Sequence, residues 1–424
     1  MDKQLVKSII GERQEEIRHL QLTDRNMFFD DNCNYVLVGV RRAGKSYMMY
    51  GDILHRVSSG QLSIEDILYI NFEDERLASV KSEELGEILD CYKEMYDNPN
   101  PRIYLDEIQI IDGWEKFARR LADSKYRVMI TGSNAKMLSS EIATTLGGRF
   151  IVREIFPFSF REYLKFNHIT LGKNWTYLPE QRMSVYKFFE DYFYYGGFAE
   201  TFRQSDKREW LNSLYQKILL GDIIARNGIR GSRVYRLLAR KLAESVMQPS
   251  SLSRLTNIIK SSGENISLPT IKDYIDFMED AYLIFSVPNY ACKLSEQSLM
   301  VKRYYIDNGL LNNFLFDEDS KLLENLVAVH LFRNFRNTDE PRLFYYRRNI
   351  EIDFYIPEQK LAVQVAYSLK DDDTQRREMT ALQKFSEVED VKHAVIVTYD
   401  EENTIQSGEL TVEIIPVWKW LCLF

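Results

Sequence analysis

Tyr35-Val36-Leu37-Val38-Gly39-Val40-Arg41-Arg42-Ala43-Gly44-Lys45-Ser46-Tyr47 runs from an apolar strand through a glycine-bounded loop into the start of a helix. That order is the one a phosphate-binding P-loop requires. Gly39 and Gly44 permit the tight turn and present backbone N–H groups to phosphate oxygens. Lys45 reaches the β and γ phosphates, and Ser46 offers its hydroxyl to Mg²⁺. The candidate ATP-binding set is therefore Gly39, Arg42, Ala43, Gly44, Lys45, Ser46 and Tyr47.

Working outward, Ile103-Tyr104-Leu105 is a short buried-strand run that ends in Asp106-Glu107. In this Walker B arrangement the aspartate holds Mg²⁺ through water and the glutamate polarises the attacking water. The stretch from Lys45 to Asp106 leaves room for the other strands and helices of one nucleotide-binding domain, among them the strand Ile67 to Phe72. That strand closes on Glu73-Asp74-Glu75, an acidic turn that reads either as a capped solvated turn or as part of the Mg²⁺ shell. A third strand, Arg127 to Thr131, runs into Gly132-Ser133-Asn134. Ser133 or Asn134 could orient the water as a sensor or form an ordinary turn. Beyond a helical stretch from Ser139, Gly147-Gly148-Arg149 exposes an arginine, either a surface residue or a finger for its own or a neighbour's nucleotide. Arg161, in Phe156-Pro157-Phe158-Ser159-Phe160-Arg161, is a weaker candidate for phosphate.

Composition excludes several alternatives. A 424-residue chain with 45% hydrophobic and 13% aromatic residues can bury the cores of two to four domains. Its net charge of −8 speaks against a surface that grips nucleic acid everywhere, although a local basic groove stays open. Cys33, Cys91, Cys292 and Cys422 are far apart, which fits neither a zinc site nor a disulfide framework and suits a reducing interior. Met1-Asp2-Lys3-Gln4 does not open as a signal peptide and no apolar run reaches the length of a membrane span, so a cytoplasmic protein without membrane contact is expected.

A helix is predicted over residues 4–22, and further helices over 182–230, broken at Tyr195-Gly196-Gly197-Phe198 in a way that suits a sharp helix end and a lid over the nucleotide. Asp222, Arg226 and Arg230 follow there as structural ion pairs. Arg233 to Met247, Leu252 to Lys260 and a third helix from Pro269 to Asp280 precede the strand Tyr282 to Val287, the pattern of a winged helix-turn-helix. The third helix carries Lys272 against Asp273, Asp276, Glu279 and Asp280, charges that favour packing or protein contact over reading DNA. From 301 onward strands and helices alternate again, with Arg303 to Asp307 as the entering strand. Glu324 on a helix, Asp353 on a strand and Gln364 on the next strand form the carboxylate pattern with which metal-dependent nucleases hold Mg²⁺.

GVRRAGKS, IYLDEIQ, ITGSNAKML and GGRF, followed by FPFSFREY and YYGGFAE, closely resemble the bacterial and archaeal AAA-type ATPases whose C-terminal half is a domain of unknown function related to PD-(D/E)xK nucleases. The resemblance covers nearly the whole chain and implies nucleotide roles for Lys45, Ser46, Asp106, Glu107, Asn134 and Arg149. It implies an α/β protein: a P-loop AAA+ parallel-sheet domain over 1–165 and a helical lid over 166–231. A winged-helix domain over 232–300 and a restriction-endonuclease-like domain over 301–424 follow. Here Val40 stands where family members often have proline. In the last domain Ala366 stands where a nuclease strand carries lysine, with Lys370 beyond the strand, so cleavage is not expected while Glu324 and Asp353 remain a candidate second metal site. Two functions follow: an ATPase that switches conformation or remodels a protein partner, and an ATP-regulated DNA-binding protein or nuclease. Homo-oligomers are compatible with either.

Overall fold

The strand Asn34–Val38 (β1) is buried along its whole length, and it lies inside a five-stranded sheet rather than at its edge. In the computed structural model, which describes residues 1–132, 145–229, 232–293, 296–297, 299–336, 341–408 and 410–423, the chain divides into two compact units, 1–156 and 157–424. Ser133, Asn134, Arg230 and most of the helix expected from Ser139 lie outside the described residues.

In the first unit, helix α1 (Lys3–Arg18) precedes β1. Helix α2 (Lys45–Ser58), β2 (Ile67–Asn71), α3 (Leu85–Met95), β3 (Arg102–Asp106), α4 (Trp114–Asp123), β4 (Arg127–Gly132) and β5 (Phe150–Glu154) follow. The strands stand in the order β2-β3-β4-β1-β5, and every pairing is parallel. Such a sheet must be covered on both faces, which explains why β1 to β4 read as near-continuous apolar runs. Helix α4 does part of the covering: Trp114, Phe117, Ala118, Leu121 and Ala122 recur at helical spacing and are all buried. Helix α1 packs Val6, Ile9, Ile10 and Ile17 inward, and the Gln14 amide donates to the Ile67 carbonyl at 2.7 Å. The helix ends at Arg18, short of the predicted Leu22.

The second unit starts with α5 (Phe160–Phe166), α6 (Pro179–Tyr195) and α7 (Lys207–Lys217), the last continuing as a π-helix over Ile218–Ala225. Helices α8 (Ser232–Glu244), α9 (Leu252–Ser261) and α10 (Leu268–Asp280) are followed by β6 (Ile284–Pro288), antiparallel to β7 (Val301–Tyr305). β7 was expected to enter the last region as one of its strands; it hydrogen-bonds to β6 instead. Then come α11 (Asn308–Asn312), α12 (Asp319–Phe335), β8 (Phe344–Arg347), β9 (Glu351–Ile356), β10 (Leu361–Val365), α13 (Asp372–Ser386), β11 (His393–Thr398), β12 (Asn403–Ser407), β13 (Leu410–Pro416) and α14 (Val417–Leu423). β8 to β13 form a mixed six-stranded sheet ordered β12-β13-β11-β10-β9-β8. Tyr346, Ile352, Tyr355, Leu382, Phe385 and Ile396 pack one face of it against α13. Helix α12 is buried nearly all round, through Leu322, Leu323, Leu326, Val327, Ala328 and Leu331, so Glu324 on it is buried too. No helix among the described residues is long and apolar enough to cross a membrane.

Candidate functional site

The carboxyl ends of β1, β4 and β3 lie side by side, and the register sets Leu37 beside Thr131 and Val38 beside Gly132. The two motifs recognised in the sequence therefore meet at one edge, with β4 between them.

The loop after β1 takes backbone conformations that few residues tolerate: φ is +146° at Gly39, +67° at Arg42 and +95° at Gly44. A Cβ at Gly39 would stand 2.1 Å from the Ile155 carbonyl oxygen, so this glycine admits the neighbouring backbone as well as the turn. At Gly44 the nearest atom would be the Arg25 guanidinium at 3.5 Å, so there the left-handed backbone itself demands glycine. Arg25 donates to the carbonyls of Ala43 and Phe156, both at 2.9 Å, and so ties the end of the loop down. Lys45 opens α2 and is buried. Its Nζ donates to the carbonyls of Gly39 (3.0 Å) and Val40 (3.2 Å) and stands 4.0 Å from Glu107 Oε1. Ser46 follows in the first turn of α2, half-buried. The Tyr47 ring is exposed and meets Tyr50 edge-on at 5.7 Å.

Asp106, at the end of β3, is fully buried, and each of its oxygens accepts a hydroxyl. Tyr69 donates to Oδ2 at 2.6 Å and Thr131 donates to Oδ1. The Tyr69 hydroxyl also lies 3.0 Å from that of Tyr50, on α2. Burial and the Asp106 charge push the Tyr69 phenol well above its ordinary pKa, so it stays a donor. Glu107 adopts the left-handed region (φ +53°), a strained conformation for a non-glycine residue. Its N–H donates to Thr131 Oγ1 at 2.8 Å, and its carboxylate accepts from Gln109. Burial raises the Glu107 carboxyl above the ordinary glutamate range, against the pull of Lys45.

Other expected residues lie elsewhere. Arg149 Nε donates to Asp123 at 2.5 Å, and its Nη1 donates to the Leu146 and Gly147 carbonyls. In the acidic turn Asp74 caps the next turn through Arg76, whereas Glu73 accepts from Arg41 of the loop at 3.4 Å. Asn134 lies outside the described residues, and the contact that β4 does show at this edge is made by Thr131. The sequence reading passed over Tyr69, Thr131, Gln109 and Arg25. Thr131 and Tyr69 carried a signal, being polar atoms in strands otherwise apolar.

In the second unit Glu324 and Asp353 do converge, on a residue that the sequence reading did not name, while Gln364 meets the backbone of Asp353. Lys302 of β7, fully buried, donates to Asp353 Oδ1 at 2.9 Å and to Glu324 Oε1 at 3.2 Å. Burial would lower this ammonium, but Asp353 and Glu324 outweigh it and raise it. Burial lifts Glu324 to about 7 despite Lys302. Gln364 accepts from the Asp353 N–H and donates to Glu378, both at 2.7 Å. Lys370, the expected source of a missing cation, lies exposed past β10.

The sheet order, the loop and the Asp106–Glu107 end of β3 define a P-loop α/β fold of the AAA type. Residues 31–164 match the family described as AAA domain. Residues 186–321 and 320–420 match two families each described as a domain of unknown function, DUF8612 and DUF4143. The uncharacterized protein MJ1544 of Methanocaldococcus jannaschii is 34% identical over 399 residues, which cover 91% of this chain and 87% of that protein. An uncharacterized protein of Haemophilus influenzae is 30% identical over 409 residues, covering 93% and 95%. The chain belongs to the family of these two proteins, with an AAA domain in its N-terminal part. Among solved structures the Walker-type ATPase paby2304 of Pyrococcus abyssi is similar at 14% identity and a TM-score of 0.40, over 70% of this chain and 99% of that one. A likeness that small fixes neither fold nor function.

Proposed function

We propose that the chain binds Mg-ATP in the loop Gly39 to Tyr47 and hydrolyses it with Glu107 as general base. The observation that carries this reading is the approach of Lys45 Nζ to the Glu107 carboxylate, 4.0 Å, at one sheet edge. A cation for phosphate and a base for water stand together there, over a buried aspartate held by two hydroxyls. These residues fit the group: the loop turns through left-handed backbone at Arg42 and Gly44, and Lys45 donates to the neutral carbonyls of Gly39 and Val40. When bound, Mg²⁺ draws off charge that develops on the phosphate oxygens. Ser46 and Asp106 would hold it, Asp106 with its orientation fixed by Tyr69 and Thr131. Glu107, its carboxyl raised by burial, takes the proton of the attacking water. Asn134 and Arg149 remain candidates for the sensor and the finger.

The test is nucleotide affinity. Lys45→Ala should lose about 1.5–3 kcal/mol, roughly ten- to hundredfold in Kd, because a charged hydrogen-bond donor to phosphate is removed. ATP binding at wild-type strength by this variant would refute the site.

We further propose a cytoplasmic protein that uses turnover to switch conformation or to remodel a partner. Its middle region, α8 to α10 with the β6–β7 hairpin, is read as a winged helix, and its β8–β13 sheet as a relative of PD-(D/E)xK nucleases without cleavage. The meeting of Glu324 and Asp353, with Gln364 bonded to the Asp353 N–H, supports the second of these. The alternative, an ATP-regulated DNA-binding protein or nuclease, meets the exposed Asp273 and Asp276 on α10, charges that phosphates repel, while Glu279 turns inward to accept from Ser286. ATP turnover measured with and without DNA separates the two, since a DNA-regulated enzyme responds to it.

A further inference from the structure

We propose that the Lys302 ammonium is a built-in cation that takes the seat a divalent metal would need among Glu324, Glu351 and Asp353, so that these carboxylates join three elements of the fold instead of holding a catalytic ion. The inference stands apart from the nucleotide site, since every atom it uses lies in the second unit.

An ammonium offers three donors and is satisfied by three acceptors. Lys302 Nζ donates to Asp353 Oδ1 at 2.9 Å and Glu324 Oε1 at 3.2 Å, and a third carboxylate, Glu351 Oε1, pairs with its charge at 3.5 Å. The Tyr345 ring covers it at 5.7 Å, a further favourable contact for a cation, and its side chain is 1% exposed. Two of the oxygens that an incoming ion would need are also engaged by other donors. Asp353 Oδ2 accepts from the Val365 N–H at 3.0 Å, and Glu324 Oε1 accepts from the Tyr304 hydroxyl at 2.7 Å. A divalent cation requires several free oxygens and tolerates no ammonium at bonding distance from them.

The same contacts show what the cluster does. Lys302 belongs to β7 of the hairpin, Glu324 to α12, and Glu351 and Asp353 to β9, so one ammonium ties hairpin, helix and sheet together. Three residues further along β7 the tie is repeated without charge. The Tyr305 N–H donates to Asn325 Oδ1 at 2.8 Å, and Asn325 Nδ2 donates back to the Tyr305 carbonyl at 3.1 Å. The residue that would carry a nuclease lysine is Ala366, and Gln364 before it is used up by the Asp353 N–H and Glu378. The lysine that reaches these carboxylates comes from another strand and binds them directly.

The experiment is a Mn²⁺ titration of the full chain without nucleotide, read by the electron paramagnetic resonance of free Mn²⁺. Wild type and Asp353→Asn should give the same curve, because wild type has no ion at Asp353. Lys302→Met should gain one site, at least about tenfold tighter than any in wild type, that Lys302→Met combined with Asp353→Asn loses. Lys302→Arg, which keeps the charge, should gain none. A wild-type site that Asp353→Asn abolishes overturns the proposal whether or not Lys302→Met folds. So does a folded Lys302→Met with no new site.

Discussion

The two units each set a buried lysine among carboxylates, and they use it in opposite ways. Lys45 donates to the backbone carbonyls of Gly39 and Val40 and stands 4.0 Å from the Glu107 carboxylate. Lys302 has three carboxylates within 3.5 Å. A lysine held by neutral dipoles keeps its charge available for a phosphate that arrives later, and the carbonyls it leaves lose only a modest net interaction. A lysine neutralised by carboxylates cannot leave without stranding buried anions. The contrast teaches that a lysine beside acidic residues is a ligand-binding group in one setting and a structural counter-ion in the other, and that its first contacts decide which.

The largest effect should come from Glu107, because the contrast makes the first cluster the chemical one. Glu107→Gln is expected to lower ATP turnover by about 10²- to 10⁴-fold while ATP still binds, since a general base contributes on that order. The pH profile carries a sign. Glu107 must be ionised to accept a proton, and burial raises its pKa, so the acid limb of turnover should lie above the ordinary glutamate value of about 4.3. Lys45, which opposes that rise, should shift the limb further up when it is removed. Turnover of Glu107→Gln at the wild-type rate would collapse the contrast.

Stability should divide the two lysines next. Lys302→Ala leaves buried carboxylates without their cation, a loss of about 3–5 kcal/mol, whereas Lys45→Ala frees two carbonyls at about 1 kcal/mol. Urea unfolding followed by tryptophan fluorescence reads this well, because Trp175, Trp210, Trp418 and Trp420 lie in the second unit and only Trp114 in the first. Glu324 supplies the pH dependence. Its folded pKa, about 7, is raised above the unfolded value, so its contribution is present at low pH and lost as pH rises through 7. Without Lys302 that loss is steeper, and the Lys302→Ala deficit should grow from pH 6 to pH 8. Equal midpoints for the two variants would make Lys302 an ordinary interior lysine.

How much of this was legible follows from the kind of signal each residue leaves. The P-loop was readable because its glycines, lysine and serine sit at fixed spacing along one strand-loop-helix turn, and the Asp106–Glu107 end of β3 was readable for the same reason. The residues that hold Asp106 were not, because Tyr69 and Thr131 come from two different strands and their meeting depends on the order β2-β3-β4-β1. In the second unit Glu324, Asp353 and Gln364 could be read as a pattern. Lys302 could not, because β7 pairs with β6 and brings its lysine from outside the sheet that carries the pattern. A lysine between Val301 and Tyr304 in a buried strand was the one hint. The strands β12 and β13 and helix α14, at the end of the chain, were passed over.

Tyr69 tests how finely the first cluster is built. Tyr69→Phe removes the donor to Asp106 Oδ2 without touching nucleotide-loop atoms. A hydrogen bond to a charged group is worth about 1.5–3 kcal/mol. Tyr69 acts through Asp106, so the loss should appear as a kcat about tenfold lower and a weakened Mg²⁺ dependence, with the KM for ATP unchanged. An altered KM with normal kcat would make Tyr69 a mere packing residue.

The smallest expected effect is that of Arg149, and it bears on whether the first cluster is complete within one chain. In this structure its guanidinium serves Asp123 and the carbonyls of Leu146 and Gly147, with the side chain 32% exposed and that of Asp123 48%. A pair that open to solvent contributes about 0.2–1 kcal/mol, so Arg149→Ala should barely move stability and, held in this arrangement, should leave turnover near wild type. A finger acting across a subunit boundary behaves differently on three counts. Its removal costs about 10³- to 10⁵-fold in turnover. Wild-type turnover per chain then rises with protein concentration. Arg149→Ala mixed with Lys45→Ala recovers activity, because one chain supplies an intact nucleotide site and the other an intact arginine. Recovery in the mixture would show that Arg149 leaves Asp123 for a neighbour's phosphate and that the site is completed only by a second copy of the chain.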